Sequence, residues 1–463
     1  MTGTAAQPHA APPPREASFL GRFGWVMFDW ANQPFFTIVT TFIFAPYFAA
    51  QMVGDPVRGQ AIYGYTQSAA GLIIAILSPF LGAMADASGR RKGYILFFQV
   101  LTVIGCIGLW WAYPNRPDLV LPVAVALVIA TIGAEFSIVF NNALLPSLVR
   151  PERIGRLSGA GWAMGYVGGI IALVAILIIS RPELIGITPP EGQALFGLDR
   201  ATAAAERLTG PASALWLVVF VVPMFLFTPD IVHSGLGRVA AAREGMRRLV
   251  DTVRQLRKYR NPTTFLAAYM IYNDGLAAVI ALGGIYAAGT FGWGTTELGI
   301  FGILLTTVAA IAAFVGGTLD DRLGSKRTVQ LAIVLVTIAT IGIVSVTATS
   351  ALFVLDLPAK VAGGALFGSI QEKIFFVFAV ILGLGMGPMQ AASRTMMGRL
   401  APPGMAGEFY GLYALSGKAT TFMAPFCIAV ATQYFMSQRA AGVVVVIFLA
   451  VGFILLTRVR EER

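Results

Sequence analysis

The sequence has little of what a soluble enzyme needs. Only 12% of its 463 residues are Asp, Glu, Lys or Arg, about half the share in an average soluble domain. Two histidines and two cysteines are too few to place a serine triad or a zinc site in its apolar part. No Gly-x-x-x-x-Gly-Lys-Ser/Thr loop is present, so direct use of ATP is not expected. These shortages argue against a soluble protein, an enzyme, a metal site and a cofactor.

Long apolar runs make up most of the chain, which has 57% hydrophobic residues and a mean hydropathy of +0.75. Inside a bilayer only helices and closed barrels satisfy their backbone polar groups. The runs are about 20 residues or longer, the length of a spanning helix, and lack the alternation of barrel strands. We therefore predict an all-α membrane protein with twelve spans, at 23–52, 61–85, 93–113, 119–145, 157–180, 213–230, 263–288, 297–319, 328–349, 374–398, 409–433 and 441–457.

Polar stretches divide the predicted protein into five parts. A disordered cytoplasmic tail at 1–18 has no apolar segment before a cleavage site, so no removable signal peptide is expected. Six spans at 19–232 are followed by a basic cytoplasmic middle loop at 233–261. Six further spans at 262–457 precede a short cytoplasmic tail at 458–463.

Lysine and arginine predict the orientation, because cytoplasmic loops retain positive charge. With the N-terminus inside, the cytoplasmic segments hold 24 of these residues and the outside segments hold 8. We expect a monomer in the cell inner membrane, with both termini in the cytoplasm. The net charge of +10 follows from this topology, so no nucleic-acid partner is expected. The bilayer itself is the expected partner of the basic middle loop.

Two internal repeats relate the halves. The segment Gly82–Lys92 matches Gly317–Arg327 with an offset of 235. A second set follows the fourth and tenth spans with an offset of 252, and pairs Leu148, Pro151, Gly155, Gly159 and Gly165 with Leu400, Pro403, Gly407, Gly411 and Gly417. The larger offset predicts an insertion in the second half, near Ser350 to Lys373. Two six-span halves of the same orientation are typical of the major facilitator arrangement.

The first repeat also resembles a known motif, the loop-2/3 motif of the major facilitator superfamily. The residues that carry the resemblance are Gly82, Asp86, Gly89, Arg90, Arg91 and Lys92, duplicated as Gly317, Asp321 and Gly324. The resemblance implies twelve transmembrane helices in two six-helix halves, with the motif as a cytoplasmic gate. It also implies that Asp86 faces the start of span eleven near Gly407 and Phe409, where the helix dipole favours a negative charge.

Several segments resemble one branch of this superfamily. Residues 28–32, Phe-Asp-Trp-Ala-Asn, are similar to the Tyr-Asp-Trp-Ala-Asn signature of the autophagy-related vacuole-effluxer-like branch. Further matches lie at 142–146, 165–169, 272–275, 390–394 and 408–418. Since this branch is linked to release of neutral amino acids from the vacuole, the resemblance implies that the solute is a neutral amino acid.

Charged residues lie deep in the predicted spans. A charge at the bilayer centre costs at least about 2.5–3.5 kcal/mol, so each should face a partner or a water-filled cavity. In the major facilitator fold, spans 1, 4, 7 and 10 line the central cavity, and Asp29, Glu135, Asp274 and Arg394 lie on those spans. Lys418, on span eleven, is expected to pair with a carboxylate, and Asp274 is the candidate.

Each of these residues also has a structural interpretation. Asp29 is suited to hydrogen-bond its neighbours in span one and join helices. Glu135 is suited to be a buried neutral acid, and Arg394 lies close enough to the end of its span to snorkel to the surface. A pair of Lys418 with a carboxylate serves equally well as a structural tie.

Neutral hydrogen-bonding residues complete the predicted substrate or coupling site: Asn32, Asn141, Asn142, Asn273 and Gln390. They suit a small zwitterion, whose ammonium group would meet a carboxylate and whose carboxylate would meet Arg394 or Lys418. We therefore expect a secondary active transporter that works by alternating access, with proton coupling through Asp274 or Glu135 as a further hypothesis. The alternatives are a proton-driven multidrug exporter and a non-transporting membrane sensor or scaffold.

Overall fold

The computed structural model describes residues 16–54, 56–89, 91–187, 194–230, 240, 243–247, 250–251, 258–293, 295–358, 367–420, 423–424, 427–428, 431, 434 and 439–461. Arg90 of the repeated motif lies outside these residues, as do the first 15 residues of the predicted tail and most of the middle loop. Lys418 is described in its backbone alone.

Helices account for nearly all of the described chain. The α-helices are α1 (Phe19–Pro34), α2 (Phe44–Tyr47), α3 (Pro56–Ser88), α4 (Arg91–Gly108), α5 (Pro117–Leu148), α6 (Ile154–Ser180), α7 (Ala204–Phe220), α8 (Val222–Phe227), α9 (Arg260–Phe291), α10 (Thr295–Leu323), α11 (Ser325–Ser345), α12 (Ile370–Leu400), α13 (Ala406–Ala419) and α14 (Arg439–Thr457). Two π-helical segments lie at Phe35–Phe42 and Phe48–Met52, and short 3-10 turns at Leu109–Trp111, Pro151–Arg153, Pro182–Ile185 and Leu195–Gly197.

The helices coincide with the predicted spans. Counted over the described residues, eight segments are long and apolar enough to cross a membrane, and they correspond to spans two to six and eight to ten. The other predicted spans are helical where they are described: α1 with its π-helical continuation, α9, α13 and α14. The predicted all-α membrane fold is confirmed, and the helices are consistent with twelve spans.

The second half carries its insertion between α11 and α12. These helices are separated by residues 346–369, whereas the 3-10 turn after α4 ends at Trp111 and α5 begins at Pro117. A small antiparallel sheet forms in the insertion, where β1 (Ser350–Ala351) pairs with β2 (Leu355–Asp356). The predicted place of the insertion is confirmed.

Proline ends the regular part of the first span. α1 ends at Pro34, and in the π-helical segment that follows, the Ile43 N–H bonds to the carbonyl of Ile38, five residues back. Proline has no N–H for the α-helical ladder, and its ring clashes with the carbonyl four residues earlier. The first span is therefore regular only in the part that carries Asp29.

The two halves pack through helices that carry equivalent glycines. A Cβ atom at Gly159 of α6 would lie 2.5 Å from the Ala313 carbonyl oxygen of α10, and one at Gly411 of α13 would overlap the Ser78 carbonyl of α3. The two contacts are related by the repeat offsets of 252 and 235. The halves therefore meet along α6–α10 and α3–α13. We call the face of the bundle where α3 and α10 end the motif face.

The buried apolar residues form three clusters. One lies around Phe28 and Phe140 of the first half, and a second lies around Phe44 in the same half. The third fills the second half and reaches the first half at Tyr166 of α6. Because this cluster crosses the boundary, the two halves share part of their core.

Candidate functional site

Asp86 binds the start of α13 across the boundary between the halves. Its two carboxylate oxygens accept hydrogen bonds from the backbone N–H groups of Gly407 and Glu408, each at 2.9 Å. These groups have no partner within their own helix, and the helix dipole favours a carboxylate there. The approach requires Gly82, since a Cβ atom at that position would overlap the Gly407 carbonyl. The contact expected between Asp86 and the start of span eleven is present.

Asp321 makes the equivalent contact from the second half. Its carboxylate oxygens accept hydrogen bonds from the backbone N–H groups of Gly155 at 2.9 Å and Arg156 at 3.1 Å. A Cβ atom at Gly317, the equivalent of Gly82, would lie 2.6 Å from the Gly155 carbonyl oxygen. The sequence repeat thus produces two carboxylate caps, each of which ties one half to the other at the motif face.

Each capping carboxylate also has an arginine partner, but the two arginines come from different places. Arg91, at the start of α4, pairs with Asp86 at 2.5 Å. Arg399, near the end of α12, pairs with Asp321 at 3.3 Å and with Asp320 at 3.2 Å. The arginine partners therefore do not follow the repeat.

A lysine and an acid fix each motif loop to its own half. Lys92 Nζ donates to carbonyl oxygens at the end of α8, at 2.8 and 2.5 Å, and Asp230 accepts from its backbone N–H at 3.2 Å. Lys326 Nζ donates to two carbonyl oxygens at the end of α14, both at 2.8 Å, and Glu461 accepts from its backbone N–H at 2.9 Å. The two lysines are 234 residues apart, so the repeat shifts by one residue after its second glycine.

An ion pair joins the halves deeper in the bundle. Arg394 Nη1 lies 2.7 Å from Asp29 Oδ2, and the two side chains are 4% and 13% exposed. The same guanidinium donates to Ser158 through Nε, at 2.9 Å from Oγ, and through Nη2, at 2.6 Å from the carbonyl oxygen. Its Nη1 also reaches Asn142 Oδ1 at 3.4 Å. The cluster connects α1, α5, α6 and α12.

This cluster decides between the interpretations of Asp29 and Arg394. Snorkelling of Arg394 is wrong, as is pairing of Asp29 with its neighbours in span one. Arg394 stays inside because the rings of Trp25 and Trp162 cover it, with centroids 4.9 and 5.6 Å from its Cζ, and because Asp29 neutralises it. Most of its N–H groups are directed at protein atoms, so in this state Arg394 has little capacity to bind a solute.

A small cavity lies between the halves beside the ion pair. Trp162 separates the two, since its ring covers Arg394 and also lines the cavity. Tyr272 and Ser393 share a hydrogen bond of 2.7 Å, and the rings of Tyr269 and Tyr413 stack with centroids 4.0 Å apart. The lining residues are Trp162, Tyr269, Tyr272, Asn273, Leu276, Met389, Gln390, Ser393 and Tyr413.

The helices around this cavity differ from those that the resemblance implied. The lining comes from α6, α9, α12 and α13, which are spans five, seven, ten and eleven, whereas spans 1, 4, 7 and 10 were expected. Spans one and four are kept away because Trp162 of α6 stands between the cavity and the cluster around Arg394. Two of the predicted substrate or coupling residues, Asn273 and Gln390, line the cavity.

The other predicted amides lie elsewhere. Asn142 belongs to the Arg394 cluster. Asn32 lies inside the first half, where its amide oxygen accepts from Gln99 at 3.1 Å. Asn141 is fully buried, and its side-chain polar atoms have no hydrogen-bond partner among the described residues.

Asp274 and Glu135 lie near the cavity without lining it, and both are within electrostatic range of the Tyr269 hydroxyl. Asp274 is 2% exposed, and its carboxylate lies beside the Thr420 hydroxyl. The predicted pair of Asp274 with Lys418 falls on a side chain outside the described ones. The roles of these residues stay predictions.

The aromatic residues of the cavity were missed in the sequence. Tyr269, Tyr272 and Leu276 recur at helical spacing and share one face of α9 with Asn273. A face that mixes tyrosines with an amide within a membrane span was the available signal. Trp162 had no such signal, because its place at the cavity follows from how α6 packs against the Arg394 cluster.

The sequence is similar to known transport proteins along most of its length. The sequence model of the vacuole effluxer Atg22-like family matches residues 48–463. The chain is 27% identical to the uncharacterized MFS-type transporter YxiO of Bacillus subtilis (strain 168), over 95% of this chain and 94% of that protein. It is 22% identical to autophagy-related protein 22 of Coccidioides immitis (strain RS), over 84% of this chain and 70% of that protein.

The fold agrees with this similarity. The major facilitator superfamily transporter FucP, solved in its outward conformation, superposes with a TM-score of 0.67 at 14% identity, over 96% of this chain and 99% of that chain. Family and fold are those of membrane transporters rather than enzymes. The chain belongs to the vacuole effluxer Atg22-like family and has the major facilitator fold.

Proposed function

We propose that the protein is a secondary active transporter that carries a neutral amino acid by alternating access and couples this movement to protons. It works as a monomer in the cell inner membrane, with the motif face in the cytoplasm. The distribution of 24 basic residues against 8 supports this orientation, since positive charge is retained on the cytoplasmic side.

The observation that carries the proposal is the pair of carboxylate caps. Asp86 and Asp321 each bind the first turn of a helix in the other half, so both caps hold the motif face closed. Water can replace a carboxylate at a helix start, because these N–H groups have no partner within the helix. Rocking of the halves that breaks both caps together would open the cavity to the motif face.

The cavity lining supports a small amphipathic solute. Asn273, Gln390 and Ser393 supply hydrogen-bonding groups, while the stacked rings of Tyr269 and Tyr413 supply an apolar surface. This combination fits a zwitterion with an apolar or aromatic side chain. The small volume of the cavity favours such a metabolite over the larger substrates of a multidrug exporter.

Asp274 is the proposed proton carrier. Asp274 is 2% exposed, and burial inside a membrane span favours the neutral acid over the carboxylate. Asp274 follows the cavity residue Asn273 and lies beside the Thr420 hydroxyl. Opening of the cavity toward one face would hydrate this site and allow the proton to leave.

Proteoliposomes test the proposal. We expect counterflow of a radiolabelled neutral amino acid and its accumulation under a pH gradient. Asp274→Asn should keep counterflow but lose gradient-driven accumulation. Asp118→Asn is the matched control, since Asp118 is 58% exposed and pairs with Arg116. If Asp274→Asn folds and accumulates solute at the full rate, the coupling role is wrong.

A second experiment examines the cavity. Trp162 lines the cavity, and its buried Nε1 has no partner among the described residues, so our proposal assigns it as a donor to the bound solute. Trp162→Phe removes this donor and keeps an aromatic ring, and we expect KM to rise about tenfold from the loss of one hydrogen bond. Transport of large apolar cations but of no amino acid would favour the multidrug exporter. Absence of transport for every solute in a broad panel would favour the sensor or scaffold.

A further inference from the structure

A groove lies at the motif face, outside the central cavity. Its walls come from the start of α1, the start of α6 and the inner part of α10. The lining residues are Phe19, Arg22, Phe23, Val26, Val149, Arg153, Arg156, Leu157, Ala160 and Phe314. Arginines therefore stand beside an otherwise apolar surface.

The arginines of the groove are only partly neutralised. Arg22 and Arg153 share one carboxylate, Glu16, at 3.6 and 3.2 Å, and Arg150 also approaches it, at 3.5 Å. Arg156 lies 3.3 Å from Asp321, which already accepts two backbone hydrogen bonds. Each guanidinium has five N–H donors in a fork that fits a phosphate, and among the described residues Glu16 is the acidic partner of both Arg22 and Arg153.

The apolar wall opens toward the side of the bundle. Phe19 and Phe314 are 72% and 60% exposed, which is costly in water but favourable against acyl chains. Phe314 precedes Leu323, the last residue of α10, by nine positions, which places it about 13 Å deeper along the helix. The positive end of the groove is thus at the membrane surface, and its apolar end is within the acyl region.

We propose that this groove binds one anionic phospholipid. The phosphate group accepts from those N–H groups of Arg22 and Arg153 that face away from Glu16, and one acyl chain lies along Phe23 and Phe314. Neutral annular lipids satisfy the apolar wall alone, whereas the surplus of positive charge selects an anionic headgroup. A free phosphate would leave the exposed phenylalanines uncovered, so a lipid fits the groove better than a free phosphate does.

The bound lipid touches both halves of the transporter. Phe314 belongs to the second half, while the two arginines belong to the first half. Opening of the motif face breaks the contact of Asp321 with the start of α6 and separates these walls. A lipid that fits the closed groove therefore stabilises the closed state, because a ligand shifts a protein toward the state that it binds better.

Native mass spectrometry of the full chain in detergent tests the site. Phosphatidylglycerol is added in steps, with phosphatidylethanolamine in parallel. We expect retention of one phosphatidylglycerol and about 30-fold weaker binding to the Arg22→Gln/Arg153→Gln variant, from about 1 kcal/mol for each arginine. The matched control is Arg327→Gln/Arg458→Gln, which removes the same charge from exposed residues at the same face and should bind as the wild type does.

A second readout does not depend on survival of the complex in the gas phase. Phosphatidylglycerol should raise the midpoint of thermal unfolding of the wild type and the control, but not that of the groove variant. The proposal is overturned if both variants lose binding equally, if phosphatidylethanolamine binds as tightly, or if inorganic phosphate gives the same stabilisation. Faster tryptic cleavage after Arg15 on addition of phosphatidylglycerol would instead identify the N-terminal tail as the occupant of the groove.

Discussion

Asp29 and Arg394 face each other across the boundary between the two halves, and Gly161 of α6 lies against both. A Cβ atom at Gly161 would lie 2.9 Å from Arg394 Nη2 and would overlap the Asp29 carboxylate. The ion pair therefore exists inside the bundle because α6 has no side chain at this position. It lies between the caps of the motif face and the cavity, so its separation is one step in the opening that we propose.

Removal of one partner of this pair should be strongly destabilising. Arg394→Gln leaves the Asp29 carboxylate buried and uncompensated, and we expect a loss of about 3–5 kcal/mol in the free energy of unfolding. Asp29→Asn/Arg394→Gln should lose less, because no charge remains. Denaturant unfolding of the purified protein measures both, and Arg116→Gln, from an exposed pair with Asp118, should change stability little. Equal losses in the single and double variants would contradict this account.

The glycine at the start of the motif should be required for closure. At Gly82 an added methyl group overlaps the Gly407 carbonyl, whereas at Gly93 no atom lies within 4 Å of an added Cβ. We expect Gly82→Ala to cost about 1–3 kcal/mol through overpacking, and Gly93→Ala to stabilise by about 0.5–1 kcal/mol as a helical glycine replaced by alanine.

Closure can be measured directly in the same variants. Asn273→Cys places a thiol in the cavity, and an impermeant maleimide is added from the motif face. We expect this thiol to be labelled when Gly82→Ala is also present, and far more slowly when Gly93→Ala is present instead. Equal labelling from the motif face in the two backgrounds would show that Gly82 does not control closure.

The two caps should contribute in the same way. Asp86→Asn and Asp321→Asn each remove a negative charge from a helix start and weaken one of two backbone hydrogen bonds. We expect the loss of each cap to cost about 1–2 kcal/mol, with a further loss in Asp86→Asn because the buried Arg91 is left without its carboxylate. The caps lie at different helix pairs, so the losses should add in the double variant. Thermal unfolding measures this, and a large loss for Asp86→Asn with none for Asp321→Asn would refute the equivalence of the caps.

The side-chain carboxylate of Glu461 should stabilise the second half. Glu461 accepts hydrogen bonds from the backbone N–H groups of Ser325 at 2.8 Å and Lys326 at 2.9 Å, and pairs with Arg399 at 3.2 Å. Glu461→Gln should lower the free energy of unfolding by about 1–3 kcal/mol. Glu152→Gln, which changes an exposed residue, should leave it unchanged. Denaturant unfolding of both variants measures this difference. Equal unfolding midpoints for the two variants would show that the Glu461 side chain contributes nothing to stability.

Part of the site could be predicted because its residues carry local or repeated signals. Asp86 lies in a repeated motif that resembles the loop-2/3 motif of the major facilitator superfamily, and that resemblance implied its contact near Gly407. Asp29 and Arg394 were recognised as candidate site residues, but not as partners. The cavity was missed because Trp162 and Tyr413 look like ordinary core residues of a membrane helix, and nothing in a single sequence shows that they face each other.

The sequence by itself determined the apolar helices, the two related halves and the place of the insertion. Apolar length and repeat spacing are properties of the chain alone, so they can be read without coordinates. Only the tertiary structure decided that Arg394 meets Asp29, 365 residues away, that Arg399 rather than a repeat equivalent of Arg91 joins Asp321, and that spans five and eleven line the cavity. These outcomes depend on how each helix is rotated about its axis, and packing against its neighbours sets that rotation.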